Sequence, residues 1–429
     1  MEALQRLHNR GSISTGYDID NSVKLEKANS EGFNFTNSGA GNRKTYTISY
    51  WFKKTDFSFK YDVIAGANTG LEIGLNTSHQ FYIYDGGYLF VTNRQFKDPS
   101  AWYHFVFVLD TTQSTAANRI KLYVNGIEET SLATDSPPNQ NTDLKWNNTG
   151  LTFYVGYWPS TNYYSNGYIA DVYSIDGQAL TASDFGEFDD DTGIWKPIKY
   201  TGTYGTNGFK LEFKDSSALN TDTSGNSKSI SLNNVTAADQ ATDTPTNNFA
   251  INNMIDGGDN TSDNVSYKEG GTVQIRNANT NYNYNFSTLG MTKGKWYAEF
   301  QRGSATNIMI GVQLQNFDST LESRVNTYIG LGADNHGGAF AATGHYYYNN
   351  GATSEGTTYS DSEILGVAVD CDNDKIYFSV DGTYVNSANP ASGSNGFDFG
   401  PLETNEPCFF VMNSRDPNKE HKANFGGFT

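Results

Sequence analysis

The sequence predicts an all-β chain: two antiparallel β-sandwich domains joined by an extended connector, with one short helical segment at the N-terminus. Three observations carry that prediction. Gly, Asn, Ser and Thr are abundant, and 28 Tyr with 27 Phe outnumber Leu and Ile, the composition of half-buried strands separated by turns. Stretches with a helical 3.6-residue period are scarce, whereas alternating runs of strand length recur. Finally, one strand–turn–strand–hairpin unit occurs twice, far apart in the chain, which points to two sandwiches of related architecture. At 429 residues there is room for two or three domains, each with its own core.

Taken in order, Glu2–Arg10 is the helical candidate, with Ala3, Leu4 and Leu7 on its apolar edge; at two turns it needs a partner. TYTISYWF (Thr45–Phe52) puts Tyr46, Ile48, Tyr50 and Phe52 on one strand face and Thr47, Ser49 and Trp51 on the other. WYHFVFVLD (Trp102–Asp110) is apolar on both faces except at His104, as in a covered sheet. RIKLYVNG alternates Ile120, Leu122 and Val124 before Asn125-Gly126, a hairpin turn. Ile194–Phe213 carries Trp195, Tyr200, Tyr204, Phe209, Leu211 and Phe213 and is expected to fold back on the first sandwich. Residues 214–265 are polar and short of large apolar side chains, so they read as an extended connector laid over its neighbours. Ile364–Asp370 and Lys375–Gly382 repeat the earlier unit: KIYFSVDG matches RIKLYVNG position by position in character, down to the closing Asp381-Gly382.

A formal charge of −18 argues against a nucleic-acid partner, because phosphate binding needs a basic face. No apolar run reaches the length of a signal or a membrane span, so the expectation is a soluble protein without a cleavable signal or membrane insertion. Cys371 ends the run GVAVDC and Cys408 opens CFFVM; both read as core residues, with a disulfide as the alternative.

The stretch Asp176–Gly208, DGQALTASDFGEFDDDTGIWKPIKYTGTYGTNG, resembles the junction found in phage virion proteins that carry a laminin-G-like jelly roll. Lys24–Phe33, Ala40–Lys54, Phe96–Gly126 and Asn166–Leu180 match the same set, together covering most of residues 17–213. The resemblance implies a concanavalin-like jelly roll there. The last third looks like a SPRY domain at GKWYAEF (Gly294–Phe300), MIGVQL (Met309–Leu314), the ILGVAVDCDNDKIYFSVDG hairpin and KANFGG (Lys422–Gly427). The division that follows is 1–16 as an anchoring segment, 17–213 as the jelly roll, 214–265 as the connector and 266–429 as the SPRY-like sandwich.

What the resemblance implies is a virion structural appendage, a tail fibre or capsid-surface fibre, that displays binding modules and is not an enzyme. Leu4 and Leu7 would dock on other virion proteins, and the sandwiches would meet a host-surface glycan or protein. Weak contacts of that kind gain from clustering, so a homotrimer or ring is expected. Two rivals stand beside this reading: a decoration or joining protein that binds only virion components, and a glycan depolymerase.

Candidate sites are few. Asp189, Asp190 and Asp191 form a run, and Asp370, Asp372 and Asp374 alternate about a turn; calcium, which takes roughly six to eight oxygens, is the cofactor to consider, against ordinary Asp-rich turns. Sugar cleavage needs two carboxylates on one face of a cleft. The strand bodies show no acids at i and i+2, and adjacent Glu128 and Glu129 point to opposite faces. A His–Glu zinc motif, a GxSxG elbow and a phosphate loop are all missing, and the six histidines have no ligand spacing. Two aromatic loops stand out. Gly156–Tyr168 offers Tyr157, Trp158, Tyr163 and Tyr164, and Gly344–Gly351 offers Tyr346, Tyr347 and Tyr348, amid the small polar residues that accompany tyrosine on binding surfaces. Core or subunit packing is the alternative role for both loops.

Overall fold

A computed structural model describes residues 16–57, 62–67, 70–158, 163–255, 265–276, 283–305, 307–314, 337–349, 351–400, 402 and 407–427. The helical candidate with Leu4 and Leu7 lies outside the described residues. Among those described, the fold is all-β, and its helical elements are three-residue 3-10 turns. The chain forms two compact units that meet in sequence at Asn248 and Phe249.

The first unit is a sandwich of two eight-stranded antiparallel sheets. One sheet runs Ile127–Glu128, Ile120–Val124, Tyr103–Asp110, Thr45–Lys54, Gly167–Asp176, Ser22–Leu25 and Gln240–Ala241, with Phe209–Leu211 also on Gly167–Asp176. The other runs Leu132–Asp135, Tyr88–Gln95, Gln80–Asp85, Leu71–Leu75, Asp62–Ala67, Thr152–Val155, Gly32–Thr36 and Ser231–Asn233. Tyr46, Ile48, Tyr50 and Phe52 of the first sheet enter one core with Ile73, Phe81, Ile83 and Phe153 of the second. Burying such side chains contributes roughly 1.5–3 kcal/mol each, which is what drives the two faces together. Asn125 (φ 48°) and Gly126 (φ 83°) both take positive φ, the type I′ geometry that lets Ile127 pair with Val124.

The opposite face of Thr45–Lys54 is buried too. Trp51 stacks on His104 with ring centroids 4.5 Å apart, and the Trp195 ring lies 6.0 Å from the imidazole at a 23° tilt. Trp195 Nε1 donates to His104 Nδ1 at 3.0 Å, so the ring proton sits on Nε2 and donates to Ser49 Oγ at 2.8 Å. Trp195 and Tyr200 belong to the aromatic segment expected to fold back on this sandwich. Tyr200, with Phe185 and Tyr204, forms a layer over Tyr173.

Residues 214–248, read from the sequence as part of a connector, are built into the first unit. Ser231–Asn233 adds an edge to one sheet and Gln240–Ala241 an edge to the other. Leu219, Ile230 and Val235 reach the core. Polar residues hold the rest: Asp243 accepts from Lys53 Nζ at 2.7 Å and from Trp102 Nε1 at 2.9 Å, and Ser22 Oγ donates to the Asp243 carbonyl at 2.6 Å. A segment poor in large apolar side chains is thus held by three core residues together with ion pairs and edge pairing.

The second unit has an eight-stranded sheet and a six-stranded sheet. The larger runs Val265–Lys268, Val273–Arg276, Glu420–Asn424, Lys295–Gln301, Leu365–Asp370, Lys375–Val380 and Thr383–Tyr384, with Phe397–Asp398 on Lys375–Val380. The smaller runs Asn283–Phe286, Cys408–Ser414, Ile308–Leu314, Gly337–Ala341, His345–Tyr348 and Gly351–Ser354. Asp381 (φ 46°) and Gly382 (φ 78°) repeat the type I′ turn of the first unit. Cys371 and Cys408 are buried free thiols in this core, so the disulfide alternative does not apply.

Candidate functional site

Alternation in the second sheet of the first unit creates a tyrosine-rich outer face. Leu71, Ile73 and Leu75 turn inward, as do Phe81, Ile83, Phe153, Val155, Phe33 and Phe35. Their neighbours Glu72, Tyr82, Tyr84, Tyr154 and Asn34 therefore turn outward. Register aligns them. Tyr88 lies opposite Tyr84, Tyr84 opposite Glu72, Glu72 opposite Gly66, Gly66 opposite Tyr154, and Tyr154 opposite Asn34. The result is one cross-strand row, Tyr88–Tyr84–Glu72–Gly66–Tyr154–Asn34. Gly66 has no side chain, so the row is interrupted between a carboxylate and a phenol.

The first predicted loop is part of this face. Gly156 (φ 83°) turns the chain after Thr152–Val155, where a side chain would also strike Leu25. Tyr157–Trp158 then pairs with Tyr163–Tyr164, and this hairpin lies against Asp62–Ala67. Tyr157 and Tyr164 stack nearly parallel at 5.2 Å, and Tyr154 meets Tyr157 edge-on at 4.9 Å. Asn34 Nδ2 donates to the Tyr157 hydroxyl at 3.0 Å. Tyr82 donates to Glu72 Oε2 at 2.6 Å. Burial raises the Glu72 carboxyl, and the Tyr82 bond opposes that rise. Tyr163 is pushed up by burial and then by Glu72 and Tyr88, which places its hydroxyl in their field.

Tyr88 is 45% exposed, and Tyr84, Tyr154 and Tyr163 are half-buried, so four phenol rings offer surface beside half-buried Asn34, with Glu72 and Tyr82 buried beneath them. Aromatic faces to stack on, with a carboxylate and a carboxamide to orient hydroxyls, make a surface suited to polyols. The row holds one carboxylate, Glu72, and a two-carboxylate hydrolysis needs a second.

The predicted residues fare differently. Tyr157, Trp158 and Tyr164 are buried at the base of their hairpin and support the face; Tyr163 is the member that contributes surface. Positions 159–162 lie outside the described residues. The second loop belongs to the other unit and is a strand. Tyr346 is core: its ring stacks on Phe397 at 4.4 Å and its hydroxyl donates to the Asp398 carbonyl. Tyr347 packs against the small cluster that holds Met309, Ala339 and Val411, and Tyr348 against the main core of that unit. Tyr82, Tyr84, Tyr88, Tyr154 and Glu72 were not singled out from sequence, although QFYIYD and LEIGL already show the alternation.

The acidic clusters serve their own turns. Asp189 accepts from the Thr192 amide at 2.9 Å and pairs with Lys196 at 3.2 Å. Asp370 accepts from Asn373 Nδ2 at 3.0 Å and faces Lys295 at 3.4 Å, while Asp372 caps Gly294 and Asp374 caps Leu402. Among the described residues, no three His, Cys, Asp or Glu gather in a way that could hold a metal ion.

Residues 27–184 match the family model described as the concanavalin A-like lectin/glucanases superfamily. No curated protein matches the chain. Among solved structures, the SPRY domain of human HERC1 is similar at 14% identity, over 37% of this chain and 91% of that one, with a TM-score of 0.29. The TRIM65 PSpry domain is similar at 13% identity, over 41% and 91%, with a TM-score of 0.30. A putative carbohydrate binding protein from Bacteroides ovatus ATCC 8483 is similar at 12% identity, over 51% and 60%, with a TM-score of 0.37. Residues 27–184 are thus similar to a laminin-G-like, concanavalin-like domain.

Proposed function

We propose that this chain is a glycan-binding display protein of a phage particle, and that the outer face of the first sandwich reads the sugar. The observation that carries the proposal is the row Tyr88–Tyr84–Glu72–Gly66–Tyr154–Asn34 with Tyr163 beside it. Pyranose C–H faces would lie on the half-exposed rings, and Glu72 and Asn34 would fix ring hydroxyls. The chain acts as an adhesin and not as a hydrolase. The phage assignment rests on the likeness of Asp176–Gly208 and its flanking segments to virion proteins. Copies are clustered on the particle as a homotrimer or ring, held by other virion proteins, because single lectin-like contacts are weak.

The test is binding of the purified full chain to intact host cells before and after periodate oxidation, with Tyr84→Ala and Tyr154→Ala alongside. Oxidation should abolish binding. Truncating a central tyrosine should cost about 2 kcal/mol, roughly thirtyfold in affinity. Undiminished binding by both folded variants would remove the face from consideration. Absence of the chain from purified particles by mass spectrometry would remove the virion assignment and leave the face intact.

A further inference from the structure

Lys53, Asp243 and Asn248 meet inside the first unit. The side chains of Lys53 and Asp243 are 0% and 2% exposed, and Lys53 Nζ lies 2.7 Å from Asp243 Oδ2. The same nitrogen lies 2.8 Å from Asn248 Oδ1. Asn248 Nδ2 donates to the Ser100 carbonyl at 2.8 Å, which turns the amide so that its oxygen, not its nitrogen, faces the lysine. Trp102 Nε1 holds Asp243 Oδ1 at 2.9 Å, and the Tyr168 ring stands 6.0 Å from the ammonium. A buried amine and a buried carboxylate able to move protons between them are thus locked together, with a half-buried carboxamide held against the amine.

From this geometry we propose that Lys53 and Asn248 join through an isopeptide bond, with Asp243 as the proton carrier. Asp243 Oδ2, 2.7 Å from Nζ, takes one proton from the ammonium. The freed amine is a desolvated lysine nucleophile already in place. Its lone pair attacks Cγ of Asn248, and the Nζ–Cγ bond forms as charge collects on Oδ1. Asp243 passes its proton to Nδ2, and the Cγ–Nδ2 bond breaks to release ammonia. Asp243 then takes the second proton from Nζ and hands it to the ammonia, which leaves as ammonium. Nζ keeps one hydrogen as an amide, Asp243 ends as a carboxylate, and nothing is oxidised or reduced. The product staples Thr45–Lys54 to the last residue of the first unit.

Intact-mass measurement of the denatured full-length chain tests this. The folded wild-type protein should weigh one ammonia less than its sequence, and trypsin should release a branched peptide joining Lys53 to Asn248. Asn248→Ala, at a half-buried position, should fold and show the full sequence mass. Asp243→Ala should also keep full mass, though loss of a buried ion-pair partner can unfold it, so the Asn248 variant decides. Full mass in a folded wild-type sample would overturn the proposal. So would loss of one water with the link mapped to Asp243.

Discussion

Acid should loosen the first sandwich through His104. The imidazole stacks on Trp51, its Nδ1 accepting from Trp195 and its Nε2 donating to Ser49. A second proton on Nδ1 would meet the Trp195 N–H donor to donor, in a site without water. Burial accordingly pushes His104 down from 6.5 to about 3. The sign follows from linkage: the unfolded chain takes up this proton near 6.5 and the folded one only near 3. The contribution is therefore whole above pH 6.5 and is lost as pH falls toward 3. The full window is worth about 5 kcal/mol, and the part between pH 6.5 and 4.5 about 2.7 kcal/mol. Glu31 works the opposite way, since burial raises it to about 7. The comparison must therefore be a difference between wild type and His104→Phe, in which Glu31 cancels. Five of the six tryptophans lie in the first unit, so urea unfolding followed by tryptophan fluorescence reports on it. At pH 7 the variant should be less stable, having left Trp195 and Ser49 without their partner. Its deficit should shrink by about 2.7 kcal/mol at pH 4.5. Parallel pH profiles for the two proteins would refute the assignment of that proton to His104.

Two further outcomes are expected. Gly126→Ala should cost about 2–4 kcal/mol in urea unfolding, because φ is 83° and the new methyl would stand 2.3 Å from Trp195 Cε3; a neutral result would mean Trp195 is free to move. The Cys371 thiol and burial together push Cys408 well up, so neither cysteine should react with a disulfide reagent at pH 8 until the second unit is unfolded; rapid labelling of the native chain would contradict that packing.

How much of this was legible in the sequence depends on how local the determinant is. The inward set Tyr46, Ile48, Tyr50 and Phe52 and both positive-φ turns follow from a few adjacent residues, and the structure places them as expected. That Thr47, Ser49 and Trp51 are buried as well depends on the segment around Trp195, which no pattern within Thr45–Lys54 reveals. Tyrosine triplets mislead for a similar reason: period two alone sends Tyr346 inward, while its neighbours look like a loop. The binding row is the least legible feature. It exists only because Glu72, Gly66 and Tyr154 fall in register across strands distant in the chain, and one slipped residue would turn Glu72 into the core.

The first and last strands of the first unit sit side by side. Ser22 pairs with Ala241 and Val23 with Gln240, antiparallel, so the chain leaves both strands at the same end. In an Asn248→Ala chain, which lacks the Lys53–Asn248 link, tension applied across the unit would open this pairing bond by bond, like a zipper, instead of shearing many bonds at once. Ile19 and Thr246 bridge just outside it, at 3.1 and 3.0 Å. Next in line there is the buried clamp of Asp243 on Lys53. Joining Lys53 to Asn248 removes that weak point: load arriving at Asn248 passes straight into Thr45–Lys54, a strand paired on both edges, and the residues between Val235 and Asn247 carry none of it.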